Sequence, residues 1–213
     1  MTCWQAFRFD SVDSTNDAAK RLIQSHAIHG RAYVLAREQT AGRGQRGRLW
    51  LSPRDAGIYL TAVDCPNALA APITNLFTVG AGIACVEVLR ERTGVDVRLK
   101  PINDLYAGHA KLGGILTEAV IEGERIKALL TGIGINVRRT PRLLPAGSPE
   151  PISLQDLVPP AQFWCVDEGL IVSELIDQVF LWNTVVASGN TERVKREWER
   201  YKLPSAACAD GPI

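Results

Sequence analysis

The sequence predicts an α+β fold in which helices pack on one face of a β-sheet. Strand-like and helical segments are mixed along the chain, without the strict β-α-β alternation that builds a parallel sheet. The 213 residues suffice for one domain, or for one domain with a short appendage. A hydrophobic content of 46% and a charged content of 22% are typical of a soluble globular protein.

The first half of the chain contains both element types. Alternating or β-branched stretches predict strands at "WQAFRF", "RAYVLAREQ", "GIYLTAVDC" and "VDVRLK". A helix is predicted at "NDAAKRLIQ", with Ser14 or Thr15 as its N-cap. A longer, largely apolar helix is predicted at "ITNLFTVGAGIACVEVLRERTG", where Gly94 forms the C-cap.

The second half begins with a predicted hairpin. "KLGGILTEAVIEGERIKALLTGIGINV" reads as two strands that turn around Glu122-Gly123-Glu124. Residues 138–151 are rich in proline and are predicted to be irregular. "ISLQDLV" predicts one or two helical turns, and "VDEGLIVSELIDQVFLWNTVVAS" and "NTERVKREWERYK" predict amphipathic helices.

Charge, cysteines and apolar stretches together predict a soluble cytoplasmic protein. A net charge of +1 gives no global field that gathers nucleic acid or membrane lipid. The five cysteines are scattered without a C-x-x-C pair, which favours reduced thiols; they are Cys3, Cys65, Cys85, Cys165 and Cys208. The start does not resemble a signal peptide, and the apolar stretches fall short of the roughly 18 residues that a membrane span needs.

Residues 40–50, "TAGRGQRGRLW", interleave three glycines with three arginines. The glycines match the G-x-G-x-x-G pattern of a dinucleotide-binding turn, but Pro53 and Gly57 interrupt the helix that such a turn must open. A P-loop is excluded because no G-K-[ST] follows. A solvated surface loop is the alternative. Because clustered arginines repel one another and bind carboxylate or phosphate well, we expect a loop that is mobile when empty and folds over an anionic ligand.

Five motifs, "DSTN", "EQTAGRGQRGRLWLSP", "KPINDLY", "KLGGILTE" and "GIGINV", follow one another within residues 13–137. In this order and spacing they resemble the biotin protein ligases. The resemblance implies the family's catalytic domain, a class II aminoacyl-tRNA-synthetase-like fold with a mixed, largely antiparallel sheet. It also implies a reaction in two steps. Biotin and MgATP give biotinyl-5′-adenylate and pyrophosphate, and a lysine of a biotin carboxyl carrier protein then takes the biotin.

The resemblance also assigns biotin-binding residues. Ser14, Thr15 and Asn16 match residues that hydrogen-bond the ureido ring of biotin. Lys111 matches a lysine that bridges the biotin carboxylate and the adenylate phosphate. The complete implied biotin set is Ser14, Thr15, Asn16, Gln39, Arg43, Gly44, Gln45, Lys111, Gly113 and Gly114.

The nucleotide and catalytic residues are implied in the same way. The ATP set is Arg43, Arg46, Trp50, Lys100, Asn103 and Asn136, and the catalytic set is Arg43, Lys100, Asp104 and Lys111. Trp50 is expected to stack near the adenine, with a role as a core tryptophan as the alternative. Asp104 is either a magnesium ligand or the group that orients the acceptor lysine, since both roles require a carboxylate at that place.

The chain departs from the family's pattern in three respects. Gln45 stands where many members have arginine, so we expect looser retention of the adenylate. Pro101-Ile102 replaces the usual Trp-Pro, which moves the proline by one residue. We also expect a catalytic domain over residues 1–200 and a short tail over 201–213, with neither an N-terminal helix-turn-helix, and hence no repressor activity, nor a C-terminal β-barrel.

Two alternative functions remain open: a lipoate or octanoate ligase or transferase of the related fold, and a weakly active or non-catalytic relative that binds biotin. RNA binding through the arginine-rich loop is disfavoured by the near-neutral charge. The expected partner is the carrier domain of a carboxylase, with no nucleic acid and no membrane, and the protein is expected to be a monomer or a homodimer. The three histidines, His26, His29 and His109, lack companions that would make a metal site.

Overall fold

In a computed structural model of the chain, residues 4–65, 74–123, 125–140 and 149–204 are described. The strands of this part are β1 (Gln5–Phe9), β2 (Ala32–Ala36), β3 (Gly57–Asp64), β4 (Val97–Lys100), β5 (Asp104–Ala107), β6 (Ala110–Glu122) and β7 (Arg125–Asn136). The helices are α1 (Thr15–Gln24), α2 (Thr74–Thr93), α3 (Leu154–Leu157), α4 (Pro160–Phe163), α5 (Glu168–Ala187) and α6 (Thr191–Tyr201), with a 3-10 turn at Gln45–Gly47.

The strands form one seven-stranded sheet in the order β1-β2-β3-β7-β6-β5-β4. β1 and β2 run parallel, and every other neighbouring pair is antiparallel. The β6–β7 hairpin occupies the centre, and it turns at Gly123, whose φ of +62° favours glycine. The predicted mixed, largely antiparallel sheet is therefore confirmed. Glu124, included in the predicted turn, lies outside the described residues.

One face of the sheet carries most of the hydrophobic core. Leu60 of β3 and Ile133 of β7 belong to a buried cluster with Leu89 of α2 and Phe180 of α5. Val194 of α6 joins the same cluster. Burying a side chain of this kind stabilises the fold by about 1.5–3 kcal/mol, so this layer supplies most of the stabilisation.

The opposite face is covered only in part, by α1. Ala18, Ala19 and Ile23 of that helix form a second cluster with Val34 of β2 and Leu130 of β7. The prediction of helices on one face is correct for α2, α5 and α6 and wrong for α1. The physical reason is the period of two along a strand. Both faces of β2 and β7 carry apolar side chains, so helices pack against both faces of the sheet.

Helix ends agree with the predicted caps, and two short elements were missed. Ser14 is the N-cap of α1, although its side chain makes no capping hydrogen bond. Gly94 follows α2 with a φ of +69°, and its amide donates to the carbonyl of Arg90 at 2.9 Å. β5 and α4 have four residues each, too few for a periodic signal. Of the segment predicted to be irregular, residues 141–148 lie outside the described part.

Helix α5 corrects the expectation that every apolar stretch is too short to span a membrane. Within the described residues it is the one helix with enough length and hydropathy, having 20 residues and a mean hydropathy of 1.4. Of the most apolar stretch of 18 residues in this helix, 56% is buried inside the fold. Leu175, Val179 and Trp182 lie in the main core cluster. Packing against α2 and β3 therefore accounts for its apolar character.

The cysteines in the described part are free thiols. They are Cys65, Cys85 and Cys165. Cys85 is fully buried on α2, and burial raises the pKa of its thiol to about 12. This thiol therefore stays protonated and unreactive near neutral pH. Cys3 and Cys208, which also entered the expectation of reduced thiols, lie outside the described residues.

Candidate active site

A cleft of about 710 Å³ opens on the face of the sheet that carries α1. Strands β6 and β7 form its floor, and the N-terminus of α1 and the arginine-rich loop form its walls. The site residues implied by the resemblance, apart from two, all line this cleft: Ser14, Thr15, Asn16, Gln39, Arg43, Gly44, Gln45, Arg46, Trp50, Asn103, Asp104, Lys111, Gly114 and Asn136. Side chains that lie far apart in the sequence are thus brought to one place.

Lys100 and Gly113 are the two residues that the structure places elsewhere. Gly113 faces the core side of β6, where a Cβ atom would approach Leu105 Cδ1 to 3.0 Å. It alternates with Gly114, which faces the cleft, as the period of a strand requires. The ammonium of Lys100 lies 4.9 Å from the centre of the Tyr106 ring, at the end of the edge strand β4.

One end of the cleft is a closed polar network. The backbone amide and the hydroxyl of Thr15 donate to Gln39 Oε1 at 2.9 and 3.1 Å. Gln39 Nε2 donates to the hydroxyl of Ser52 at 2.7 Å. The Thr61 hydroxyl lies 2.8 Å from that of Thr15 and 2.7 Å from Asn16 Oδ1. These contacts hold the side chains in fixed orientations.

Asn16 links this network to strand β6. Its Nδ2 donates to the carbonyl of Leu116 at 3.3 Å and to Glu118 Oε2 at 2.7 Å. The arrangement requires glycine at position 132, since a Cβ atom there would lie 2.6 Å from Asn16 Oδ1. The glycine of β7 therefore makes room for a buried amide that lines the cleft.

The arginine-rich loop is itself a small hairpin. The amide of Gly44 donates to the carbonyl of Arg48 at 2.7 Å, and the amide of Trp50 donates to that of Gly42 at 2.8 Å. At the tip, Arg46 has a left-handed φ of +57°. In this structure the loop lies along the cleft. Its mobility in the absence of a ligand stays a prediction.

Trp50 lies over the glycines of the floor. A Cβ atom on Gly134 would approach its Nε1 to 2.4 Å, so the indole sits directly on the backbone of β7. The indole N–H is buried and has no hydrogen-bond partner in the described part of the chain. The ammonium of Lys111 lies 5.5 Å from the ring centre, within the range of a cation–π contact. Trp50 is thus a wall of the cleft and not a residue of the main core.

Lys111 and Asp104 form an ion pair at the other end of the cleft. Lys111 Nζ and Asp104 Oδ1 are 2.7 Å apart, and each side chain is 19% exposed. Asp104 is the one carboxylate among the described residues that line the cleft. The cations of the lining are Arg43, Arg46, Arg48 and Lys111. This excess of positive charge suits a ligand, or a pair of ligands, with negative charge.

Two asparagines support the backbone around this pair. Asn136 is buried, and its Nδ2 donates to the carbonyls of Lys111 and Ile152 at 3.3 and 3.0 Å. Asn103 Nδ2 donates to the carbonyl of Ile115 at 3.2 Å. Both residues were expected to contact the nucleotide. Both line the cleft, and in this structure their amide groups also fix the strand that carries the lysine.

Arg43 is bound by carboxylates of the protein. Its Nη2 lies 2.8 Å from Asp17 Oδ1 and 3.3 Å from Glu118 Oε2. Burial alone would raise the pKa of Glu118, but hydrogen bonds from Lys20 and Asn16 and the charges of Lys20 and Arg43 outweigh it and lower that pKa. The expectation that an anionic ligand relieves the repulsion among the arginines therefore needs correction for Arg43, because Asp17 and Glu118 already lie against its charge in this structure.

The candidate magnesium ligand Asp104 stands alone. Among the residues that the structure describes, no group of three or more His, Cys, Asp or Glu side chains is arranged to hold a metal ion. Mg²⁺ commonly binds through one or two carboxylates, water and the phosphates of a nucleotide. The donor set therefore fits magnesium that arrives with ATP, with Asp104 as its single protein carboxylate.

Several residues of the site escaped the sequence analysis. Thr61, Gly132 and Gly134 lie on the cleft face of the central strands, and the two glycines alternate with buried isoleucines in "GIGIN". Glycine at alternate positions of a central strand signals a close approach on one face, so this signal was present in the sequence. Asp17 and Glu118 gave no such signal, because their partner is a distant loop.

Comparison with known proteins agrees with the motifs. Residues 8–136 match the model of the biotin/lipoate A/B protein ligase family. The bifunctional ligase/repressor BirA of Bacillus subtilis is 34% identical over 136 residues, which are 64% of this chain and 41% of that protein. The biotin–[acetyl-CoA-carboxylase] ligase of Paracoccus denitrificans is 38% identical over 149 residues, 68% of this chain and 60% of that protein. The chain thus spans about two fifths to three fifths of these relatives.

Solved structures show the same fold. The biotin protein ligase of Aquifex aeolicus in complex with biotin and ATP superposes with a TM-score of 0.72 at 24% identity, covering 93% of this chain and 78% of that one. The biotin protein ligase of Leishmania major in complex with biotinyl-5-AMP gives a TM-score of 0.69 at 24% identity, covering 94% and 82%. The predicted fold class is confirmed. With the match over residues 8–136, the chain belongs to the biotin/lipoate A/B protein ligase family.

Proposed function

We propose that the cleft binds biotin and MgATP, couples them to biotinyl-5′-adenylate, and passes the biotin to a lysine of a carboxylase carrier domain. One observation carries the proposal. A single cleft joins a polar end, where Thr15 and Asn16 are buried and Gln39 is half-buried, to a cationic end at Lys111. Biotin has the same arrangement, a polar ureido ring and a carboxylate at opposite ends. The names of relatives and the molecules bound in similar structures support the same substrates.

The polar end has the groups that a ureido ring needs. The ring offers two N–H donors and one carbonyl acceptor. The hydroxyl of Ser14 makes no hydrogen bond within the described part of the chain, and Gln39 Nε2 carries a second hydrogen beyond its bond to Ser52. The tail of octanoate and the dithiolane of lipoate would leave the buried Ser14 hydroxyl and the half-buried Gln39 amide without a ligand partner, at a cost of up to about 1–3 kcal/mol each. This end therefore favours biotin over the alternative acids.

The cationic end suits the coupling step. A carboxylate oxygen of biotin attacks the α-phosphorus of ATP, and the bond to pyrophosphate breaks. The barrier comes largely from bringing two anions together, so a fixed cation between them is the main contribution the protein makes. Lys111 has the required charge, and its ion pair with Asp104 fixes its position.

The nucleotide occupies the remaining part of the lining under this proposal. Trp50 offers an indole face and an N–H that has no partner among the described residues. Arg46 and Arg48 at the loop are cations for the phosphates. Magnesium enters as part of the substrate MgATP, with Asp104 within the cleft as its protein carboxylate or as the group that receives the ammonium of the acceptor lysine.

The proposed partner is a carrier domain that presents one lysine at the mouth of the cleft. Its amine attacks the acyl carbon of the adenylate, AMP leaves with the electron pair, and the amine loses a proton. The name of the Paracoccus denitrificans relative points to acetyl-CoA carboxylase as the class of acceptor. The reaction consumes ATP and modifies a metabolic enzyme, so we place the protein in the cytoplasm.

The test is incubation with MgATP, biotin and a biotin carboxyl carrier domain, read by intact mass. We expect the carrier to gain one biotinyl group. A carrier whose acceptor lysine is replaced by arginine is the control for the site of transfer. If octanoate or lipoate is transferred and biotin is not, the substrate assignment is wrong. If biotin binds and no carrier is modified, the chain is a binding relative without ligase activity.

A further inference from the structure

Lys111 lies at a point of strand β6 that β7 does not reach. The last residue pair between the two strands joins Gly113 to Ile135, so the same register would place Val137 beside Lys111. The amide of Val137 donates instead to the carbonyl of Ala56 at 3.0 Å. The peptide groups of the lysine therefore bond to another part of the chain.

Residues 150–152, which we call the clasp, occupy that place. The amide of Lys111 donates to the carbonyl of Glu150 at 2.7 Å, and the carbonyl of Lys111 accepts from the amide of Ile152 at 3.0 Å. The two bonds form a parallel bridge between Lys111 and Pro151. Proline suits the middle position, because the bridge uses the residues on either side of it and needs no N–H from it. Both main-chain polar groups of the lysine are thus bound by the clasp.

The clasp continues into helix α3, which is fixed in the protein interior. Leu154, the first residue of α3, is fully buried in the main core cluster. Ser153 joins the clasp to this helix and is buried as well. The amide and the hydroxyl of Ser153 both donate to Asp156 Oδ2, at 2.9 and 2.5 Å. Asp156 therefore binds the residue that directly follows the clasp.

The other oxygen of Asp156 binds a cation of the segment that follows β7. Asp156 Oδ1 accepts from Arg139 Nε. The neighbouring Gln155 adds two bonds, since its amide donates to the carbonyl of Val137 at 2.9 Å and its Oε1 accepts from the amide of Arg139 at 3.0 Å. Burial alone would raise the pKa of Asp156, but hydrogen bonds from Ser153 and Arg139 outweigh it and lower that pKa. The carboxylate is therefore ionised near neutral pH.

We infer that Ser153 and Asp156 are positioning residues for the coupling step, because they hold the clasp against the backbone of Lys111. The ammonium of that lysine pairs with Asp104 at 2.7 Å inside the cleft. The inference rests on the proposed function, in which Lys111 supplies the fixed cation. Neither Ser153 nor Asp156 is among the described residues that line the cleft. They therefore act through Lys111 and not on a ligand.

The first test measures the clasp and needs no activity. Hydrogen exchange is followed at the amides of Lys111 and Ile152, in the wild-type protein and in the Ser153→Ala/Asp156→Asn double variant. We expect exchange at both amides to become at least about tenfold faster in the variant, because a clasp without these bonds opens more often. The amide of Ile115, which is hydrogen-bonded further along β6, is the internal reference and should not change. The single variant Ser153→Ala gives the same measurement if the double variant unfolds.

A matched control is the N-cap of another helix. Asp167 precedes α5, and its Oδ1 accepts from the amide of Leu170 at 3.0 Å. Asp167→Asn makes the same chemical change as Asp156→Asn at a helix that does not continue from the clasp, so exchange at Lys111 should match the wild type. Unchanged exchange in the double variant would overturn the inference. Equal acceleration at the reference amide, or in the Asp167→Asn control, would show a general loss of stability and would overturn it too.

The second test measures biotin-dependent pyrophosphate exchange. We expect Asp156→Asn to lower kcat by about tenfold, because a small displacement of the fixed cation is enough to slow the coupling step. The KM for biotin should stay within about twofold, since the ureido ring is bound at Thr15 and Gln39 under the proposed function. In a Lys111→Met background the same substitution should have little further effect, because Asp156 acts through the lysine.

Opposite results would assign another role to Asp156. A purely structural role would not depend on Lys111, so equal losses in the wild-type and Lys111→Met backgrounds would contradict the inference. A higher KM for ATP with an unchanged kcat would make the clasp a wall of the nucleotide site and would contradict it as well. If the wild type shows no biotin-dependent exchange of pyrophosphate, the proposed function fails, and the hydrogen exchange still decides whether Ser153 and Asp156 hold the clasp.

Discussion

Lys111 Nζ lies 2.7 Å from Asp104 Oδ1, and the same ammonium lies 5.5 Å from the centre of the Trp50 ring. Three groups from β5, β6 and the loop thus meet at one point of the cleft. The ion pair is mostly shielded from solvent, with each side chain 19% exposed. Removing one partner of such a pair costs more than removing a surface pair, because the other charge stays behind in a partly dry site.

Replacement of Lys111 tests the coupling end of the site. We expect Lys111→Met to lower the rate of biotin-dependent pyrophosphate exchange by a factor of about 100 or more, since one fixed charge is lost where negative charge accumulates. Asp104→Asn should reduce the rate less, because Lys111 keeps its charge and the asparagine still offers an oxygen to the lysine or to magnesium. Equal rates for Lys111→Met and the wild type would remove this lysine from the mechanism.

A substitution at Gly134 tests whether the Trp50 indole packs directly on the backbone of β7. A methyl group there would lie 2.4 Å from Nε1, so Gly134→Ala should displace the indole and destabilise the fold by about 1–3 kcal/mol. Gly114→Ala is the stability control, since its Cβ would meet the same indole at an ordinary 3.6 Å. Urea unfolding measures both variants. The same stability loss at both positions would contradict this description of the cleft floor.

A substitution at Gln45 tests how tightly the site retains biotinyl-5′-adenylate. The residue lines the cleft and is neutral at a place where many members of the family have arginine. We expect Gln45→Arg to slow the release of biotinyl-5′-adenylate by about tenfold, because a charge-assisted hydrogen bond is about twice as strong as a neutral one. Release is measured from the isolated protein–adenylate complex. If both proteins release the adenylate at the same rate, the departure at position 45 has no consequence.

The ion pairs of Glu118 with Lys20 and Arg43 are tested through the pH dependence of stability. The folded protein lowers the pKa of this carboxyl below its ordinary value of 4.5, so the folded state binds fewer protons than the unfolded state. The ionised carboxylate therefore stabilises the fold above pH 4.5, and this contribution is lost as pH falls through the folded pKa. Its side chain is 27% exposed, so screening keeps the effect near about 1 kcal/mol at most.

The corresponding measurement is urea unfolding of the wild type and of Glu118→Gln at several pH values. The variant should be less stable at pH 7, and the difference should shrink in acid until it vanishes. Glu122→Gln on the same strand controls for a general effect of removing a carboxylate. A difference that persists unchanged in acid would show that the charge of Glu118 is not involved.

The sequence predicted the secondary-structure elements and the residue types of the site better than it predicted the geometry of the site. Apolar stretches that extend over many positions predicted helix α5, and two such stretches on either side of a turn at Gly123 predicted the β6–β7 hairpin. Motif spacing predicted most of the cleft lining. Lys100 and Gly113, which the motifs also assign to the site, are not among the residues that line the cleft, since a motif names neighbours in the chain without saying which face each one takes.

The contacts of Arg43 could not be predicted from the sequence. Asn16 and Glu118 are separated by 102 positions, and Arg43 reaches Glu118 across 75. No local pattern encodes such pairs, because they depend on how α1 packs across β7 and where the loop returns. The side of the sheet taken by α1 depends on the same packing, and the prediction missed it for that reason.

The most direct test of the proposed function is the exchange of labelled pyrophosphate into ATP by the wild-type protein, with biotin, lipoate and octanoate supplied in parallel. The account predicts exchange that depends on biotin and is absent with the other two acids, because the polar end of the cleft pairs with a ureido ring alone. Exchange with lipoate or octanoate and none with biotin would contradict it.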